Sequence, residues 1–219
     1  MRVKIVLAYD GTSFLGSQKQ KETSNTIFGI FESILSQLGI QQNVVASGRT
    51  DKGVHASYQV CHIDLPPFWM DIKKLQYVLN KMLPQSIFVK KIQKVSSDFH
   101  ARYDATSRVY RYIIKEGQRD PFLNRFVTFV DGIDIQKISQ NIKLFMGEHD
   151  FAYFMKNGSD VKSTIRVISK TFVYQHKGNI ILYFEANGFL RSQIRLMVGA
   201  LLQLNAFEIQ QQLSLEKKI

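Results

Sequence analysis

Cysteine is almost absent from this chain. Cys61 is the only one among 219 residues, which rules out an internal disulfide framework and fits a reducing compartment. It lies in an apolar, strand-like run and reads as a buried structural thiol, not a nucleophile. Long apolar runs are missing as well: the longest, Leu196 to Leu202, cannot span a bilayer. Met1 to Asp10 is too short and too charged for a secretory signal. These absences predict a soluble, cytoplasmic protein. Neither a P-loop nor a GxGxxG pattern is present, so no nucleotide cofactor is implied. The histidines His55, His62, His100, His149 and His176 show neither HExxH nor a Cys/His zinc spacing, so no metal is expected. Asp10-Gly11-Thr12 follows a strand as in DxDGT phosphatases, but Ala8 stands where their nucleophilic Asp would be.

Acidic residues are also in short supply, 18 against 29 Lys and Arg, for a formal net charge of +11 and a sequence pI near 9.7. Such an excess favours a polyanionic partner, because each neutralised phosphate releases counterions. Lys-rich proteins that bind no nucleic acid share this balance, so charge alone leaves both readings open. What is present in ordinary amount is core material, 45% hydrophobic against 21% charged residues, which excludes a disordered chain.

Apolar periodicity divides the chain into two similar passes. Residues 3–10 are rich in strand formers and end at the turn signal Asp10-Gly11. Ile27, Ile30, Phe31, Ile34, Leu35 and Leu38 recur at helical spacing, with Asn25 as the expected N-cap. Strands are expected at Val44 to Ala46, Tyr58 to Leu65 and Ile87 to Val95, with a helix from Ile72 to Met82 preceded by Asp71 and ended by Pro84. The second pass offers a strand at Val109 to Ile114 and a helix at Ile135 to Phe145. A hairpin follows, Ile165 to Tyr174 and Ile180 to Ala186, turning at His176-Lys177-Gly178-Asn179, and then a helix from Leu190 to Leu204. The expected fold is α+β: two ferredoxin-like (βαββαβ) halves, residues 1–104 and 105–219, with adjoining antiparallel sheets. The second half reads as βαββα and lacks its last strand, because Asn205 to Ile219 are polar and show no clear strand pattern. Loss of that strand would leave backbone groups and the apolar Leu201 and Leu204 uncovered, with Phe207 and Ile209 as a partial cover.

The segment with most chemistry is Ser47-Gly48-Arg49-Thr50-Asp51-Lys52-Gly53-Val54-His55-Ala56, between two expected strands. Glycines permit positive φ and close approach of a ligand, so a polar residue between them can be held at a cleft. Arg49 is placed to hold a phosphate or to keep the Asp51 carboxylate ionised. On composition alone, the segment reads first as a strand-to-strand turn with a solvated Asp and Lys.

Motif order goes further. Gly48-Arg49-Thr50-Asp51-Lys52-Gly53-Val54-His55-Ala56 resembles the catalytic loop of the TruA family of tRNA pseudouridine synthases. Tyr9-Asp10-Gly11-Thr12-Ser13-Phe14-Leu15-Gly16-Ser17-Gln18 resembles the family's opening strand and loop. Leu83-Pro84, Phe99-His100-Ala101-Arg102 and Ala105 to Tyr112 resemble its middle blocks. Gly147-Glu148-His149-Asp150-Phe151 and Gly188 to Leu202 resemble its later ones. The blocks fall in the family's order and cover most of the chain.

The resemblance implies an isomerisation of uridine: the C1′–N1 glycosidic bond breaks, the base rotates, and it rejoins through C5. It implies that Asp51 is the essential carboxylate, either attacking the sugar or removing its 2′ proton. Arg49 matches the residue that fills the space vacated by the flipped base, and Tyr110 the aromatic that stacks on the extruded uracil. Arg195 matches the partner of the catalytic carboxylate. Arg191, four residues earlier and expected on the same helical face, is assigned to the RNA backbone. Without the family, Tyr110 would read as a core or surface β-former and the two arginines as phosphate binders or a solvated face. The implied partners are tRNA, at positions 38–40 of its anticodon arm, and a second copy of the chain in a homodimer. The implied metal and cofactor set is empty.

Two departures stand out. The family's opening motif carries Trp after its Gly where this chain has Ser17, and its closing pocket-lining strand has no counterpart before Ile219. The rival readings are a non-catalytic RRM-like RNA binder, whose RNP1 pattern the Tyr58 to Leu65 strand lacks, and a structural ribosome-associated protein.

Overall fold

The computed structural model describes residues 1–159 and 161–214. It divides into two compact units, Met1–Ala105 and Thr106–Ile219, of mixed α and β structure, each with its own sheet and core.

In the first unit, alternation of apolar residues sets strand β1 (Arg2–Tyr9), which turns Val3, Ile5, Leu7 and Tyr9 into the core. Helix α1 (Ile27–Gln37) buries Ile27, Phe28, Phe31, Ile34 and Leu35 against it. Short β2 (Val45–Ala46) and long β3 (Ala56–Asp64) follow, then α2 (Ile72–Met82) and β4 (Ile87–Lys94). The sheet order is β2-β3-β1-β4, and every pair is antiparallel. Each fully buried aliphatic or aromatic side chain of this core is worth about 1.5–3 kcal/mol over leaving it in water. The helix ends have specific causes. Asp71 accepts from the amides of Lys73 and Lys74 at 3.0 and 2.9 Å and starts α2. The cap of α1 is Thr26, not the expected Asn25: Thr26 is extended and its Oγ1 accepts from the Gly29 amide at 3.0 Å. Asn25 is otherwise engaged, donating from Nδ2 to Ser13 O at 2.9 Å and accepting at its carbonyl from the Leu15 amide at 3.0 Å. Cys61 is fully buried in β3, and burial pushes its thiol pKa up.

In the second unit, β5 (Arg108–Glu116), β8 (Ile165–His176) and β9 (Asn179–Ala186) form the centre of the sheet. β8 and β9 close through the expected hairpin, whose Lys177 and Gly178 take φ of 49° and 73°. Two strands depart from the expected βαββα. β6 (Thr128–Val130) pairs with the end of β5 in parallel, and β7 (Gly147–Asp150) pairs with β8, giving the order β6-β5-β9-β8-β7 among the described residues. Both are short, and β7 is too polar to show alternation. The expected helix 135–145 is α3 (Ile135–Asn141) continued by a tighter 3₁₀ turn, Ile142–Phe145.

The polar stretch in which no clear strand is expected holds a helix. α4 (Gln193–Gln203) is followed by α5 (Ala206–Ser214), which buries Ile209 and Leu213 in the second core while Phe207 stays two-thirds exposed, at 66%. A capping box starts α5: the Asn205 amide donates to Glu208 Oε2 at 2.8 Å, and the Glu208 amide to Asn205 Oδ1 at 3.0 Å. Leu201 is fully buried and Leu204 is packed against the same core. Residues 215–219 of that stretch lie outside the described residues. Among the described residues no strand follows β9, and no helix is long and apolar enough to cross a membrane.

Candidate active site

The first unit holds Arg49 and Asp51 on the loop between β2 and β3. That loop is tied at each end. The Ser47 amide donates to Val60 O at 2.9 Å, and the Val54 amide to Asp51 O at 3.1 Å, closing a turn in which Gly53 takes φ of 75°. Gly53 therefore needs to be glycine, whereas Gly48 is outside the left-handed region and a Cβ on it would meet nothing within 4 Å. Between the ends, Gln59 donates from Nε2 to Ser47 Oγ and Gly48 O, both at 3.1 Å. Ser17 and Tyr9 reach Thr50 from the opening segment. Tyr9 and Ser17 fall within the segment that resembles the family's opening block, whereas Gln59 lies in none of the motifs. Their partners lie 41, 33 and about a dozen residues away, beyond any local pattern.

A second loop is packed beside this one. The Nδ1 of His55 lies 3.1 Å from the Gly11 amide and 3.1 Å from Asp10 Oδ1. Asp10 Oδ1 also accepts from the Thr12 amide at 2.9 Å. A Cβ at Gly11 would come within 2.0 Å of Val54 O, so only glycine lets these loops touch.

His62 and His100 belong to a different network in the same unit. Buried His62 accepts at Nδ1 from the Ala101 amide at 3.1 Å. Burial and the nearby Arg2 and His100 hold its pKa below the ordinary histidine value. His100 accepts at Nδ1 from the Tyr103 amide at 3.2 Å and stacks on the Tyr103 ring. Both histidines are structural supports of segment 99–104. Among the described residues no group of three His, Cys, Asp or Glu is arranged to hold a metal ion.

The second unit carries Tyr110, Arg191 and Arg195. Tyr110 lies opposite Phe184 in the β5–β9 register, hence on the core side of the sheet, half-buried at the margin of the core. The Phe189 and Tyr110 rings meet edge to face at 5.1 Å and 81°, a favoured aromatic geometry. Phe189 had no assigned role in the sequence. Arg195 lies in the first turn of α4. Arg191 is not on that helix, so the expected i, i+4 pairing on one face does not occur. Ser192 intervenes with φ of 61°, in the left-handed region that breaks helical periodicity. The loop is held instead by Gln193, whose Oε1 accepts from the Leu190 amide at 2.7 Å, and by the Arg191 carbonyl, which accepts from the Lys156 amide at 3.0 Å. Arg191 projects from a fixed turn, and Arg195 from the first turn of a helix.

Known proteins match this chain along most of its length. The profile described as tRNA pseudouridine synthase matches residues 5–104 and 142–216. The chain is 40% identical over 203 residues to a tRNA pseudouridine synthase A from Campylobacter jejuni (strain RM1221), covering 93% of this chain and 84% of that protein. It is 36% identical over 225 residues to a tRNA pseudouridine synthase A from Helicobacter hepaticus, covering 98% and 91%. A tRNA pseudouridine synthase A from Phytoplasma mali is 37% identical over 203 residues, covering 92% and 82%.

Proposed function

The chain belongs to the tRNA pseudouridine synthase family, a family of isomerases, and we propose that it converts uridines at positions 38–40 of the tRNA anticodon arm to pseudouridine, with Asp51 as the catalytic carboxylate. The observation that carries this reading is the Arg49-Thr50-Asp51 tripeptide, whose middle residue is fastened through every polar group it has. A site that must hold one carboxylate against a sugar needs that fixity, because small misplacements of a reacting group cost large factors in rate.

The chemistry asks little else of the protein. A uridine in a stem is extruded at a cost of about a few kcal/mol of unstacking. Arg49 fills the space it leaves. Tyr110 stacks on the uracil, an interaction worth about 1–3 kcal/mol, enough to hold the base outside the helix. The Asp51 carboxylate then attacks C1′ or takes the 2′ proton, and the C1′–N1 bond breaks. Uracil rotates and C5 bonds to C1′, displacing the Asp51 carboxylate from C1′ in the first route, or with the 2′ proton returned from Asp51 in the second; the C5 proton leaves and N1 takes up a proton, so atoms balance without a cofactor. Arg195 is the ion-pair partner of Asp51 in this reading, and Arg191 contacts the RNA backbone. The net charge of +11 suits a polyphosphate substrate. We read the two units as ferredoxin-like halves and the working enzyme as a cytoplasmic homodimer needing no metal.

Tritium release from C5-labelled uridine tRNA tests the proposal. Asp51→Asn should abolish release while leaving tRNA affinity nearly unchanged. Substantial turnover by that variant would remove Asp51 from the mechanism.

A further inference from the structure

Thr50 sits between Arg49 and Asp51, and two of its three polar groups go to one distant residue. Its amide donates to Ser17 Oγ at 2.8 Å, and its carbonyl accepts from the Ser17 amide at 3.0 Å. The third, Oγ1, lies 2.9 Å from the Tyr9 hydroxyl. A peptide unit is planar, so the first bond orients the whole Arg49–Thr50 unit and the second the Thr50–Asp51 unit. The Cα atoms of Arg49 and Asp51 belong to those two planes. Ser17 therefore sets where both side chains begin.

Ser17 is itself fixed. It is fully buried, and its carbonyl accepts from the Phe28 amide at 2.9 Å, while the Gly16 carbonyl accepts from the Ile27 amide at 3.2 Å. These amides are among the first four of α1, which have no partner inside the helix. Gly16 takes φ of 113°, and a Cβ there would lie 3.1 Å from Thr50 O, so glycine admits the close approach. Buried Tyr9 also donates to Gln59 Oε1 at 3.4 Å, joining the Thr50 anchor to the Gln59 anchor on the other side of the loop.

We propose that Ser17, together with Tyr9 acting through Thr50 Oγ1, is a positioning residue that sets the direction of the Asp51 carboxylate. This rests on the reading of Asp51 as the catalytic carboxylate. It also gives Ser17 a task of its own at the position where the family carries Trp: a small side chain with an oxygen accepts the Thr50 amide, which an indole has no acceptor to do.

The test is steady-state kinetics on tRNA. Ser17→Ala removes the acceptor of the Thr50 amide and should lower kcat about 30-fold, with KM for tRNA moving less than about threefold. Ser17→Cys, near in shape and a weak acceptor, should recover part of the loss. Tyr9→Phe and Thr50→Val each remove one side of the same bond and should lower kcat about fivefold. The double variant should be no worse than either single one. A support that only held the fold would shift the melting point and KM without that split in kcat. Wild-type kcat in Ser17→Ala, or in both Tyr9→Phe and Thr50→Val should Ser17→Ala not fold, overturns the inference. Asp51→Asn run in parallel separates the two ideas. Turnover by Asp51→Asn sinks the reading of Asp51, whereas an inactive Asp51→Asn beside a fully active Ser17→Ala sinks only the role of Ser17.

Discussion

Arg2 and Asp64, facing each other at the start of β1 and the end of β3, form a two-pronged ion pair, Nε to Oδ1 at 2.9 Å and Nη2 to Oδ2 at 2.8 Å. The remaining Arg2 nitrogen, Nη1, donates to Ser97 O and Phe99 O, so one guanidinium joins the sheet to segment 97–104. The bond to Arg2 holds the Asp64 carboxyl below the usual carboxylate range. A depressed carboxylate pKa contributes stability above its unfolded value of about 3.9 and loses it as pH falls through the folded value. Asp64→Asn should therefore lower the melting temperature at neutral pH, and the gap from wild type should close on acidification below about pH 4. A gap that stayed constant down to pH 3 would mean the pair contributes through shape and not charge.

His62 predicts a second pH window, separate from the first. Its neutral ring accepts from the Ala101 amide, with Arg2, His100, Asp64 and Asp104 as the charged or titratable groups around it. The folded pKa is lowered, so this stability is complete above the unfolded value of about 6.5 and is lost as pH falls through the folded value. Hydrogen exchange at Ala101 should quicken, after correction for intrinsic rates, as pH falls below the unfolded value and through the lowered folded one. Exchange that followed only the intrinsic pH dependence would show that His62 stays neutral or that the bond is unimportant.

Cys61 should be inert to thiol reagents in the folded protein and react fully in denaturant. Its thiol is fully buried in the first core, and burial disfavours the thiolate that such reagents need. Reaction at the native rate of a free thiol would contradict the packing of β3.

What could be read from the sequence follows how locally each feature is encoded. α1 and α2 announce themselves because their buried residues recur at helical spacing, and the His176–Asn179 hairpin because its turn needs positive φ. β6 and β7 are short pairings decided by their partners in β5 and β8, which no window of sequence contains. α5 is hidden because only Ile209 and Leu213 of its nine residues are buried, in a run otherwise rich in Gln. Arg49 and Asp51 are legible through their motif, while the bonds from Ser17, Tyr9 and Gln59 that hold their loop are tertiary.

The capping box of α5 gives a local prediction. Asn205→Ala removes the acceptor of the Glu208 amide, which typically costs about 1 kcal/mol. Amides of residues 206–214 should then exchange about fivefold faster, with the first unit unchanged. Unaltered exchange in α5 would mean that Ile209 and Leu213 alone fix the helix.

The two arginines of the second unit should part company. Arg191 projects from a turn ahead of α4, on the far side of left-handed Ser192, whereas Arg195 is built into the first helical turn. They do not share a face, so one phosphate or one carboxylate need not engage both. Under the proposed contact of Arg191 with the RNA backbone, Arg191→Ala should weaken tRNA binding and reduce the slope of log K against log salt by about one or less. Under the proposed role of Arg195 as the partner of the catalytic carboxylate, Arg195→Ala should instead lower kcat by more than it raises KM. Lysine at 191 should restore most of the binding, since a phosphate accepts a point charge, while lysine at 195 should restore little if a two-pronged pair with a carboxylate is needed. Measuring tRNA affinity across a salt series alongside single-turnover rates separates the two effects. Equal losses of binding and turnover in both alanine variants would merge the two arginines into one electrostatic patch and end the division.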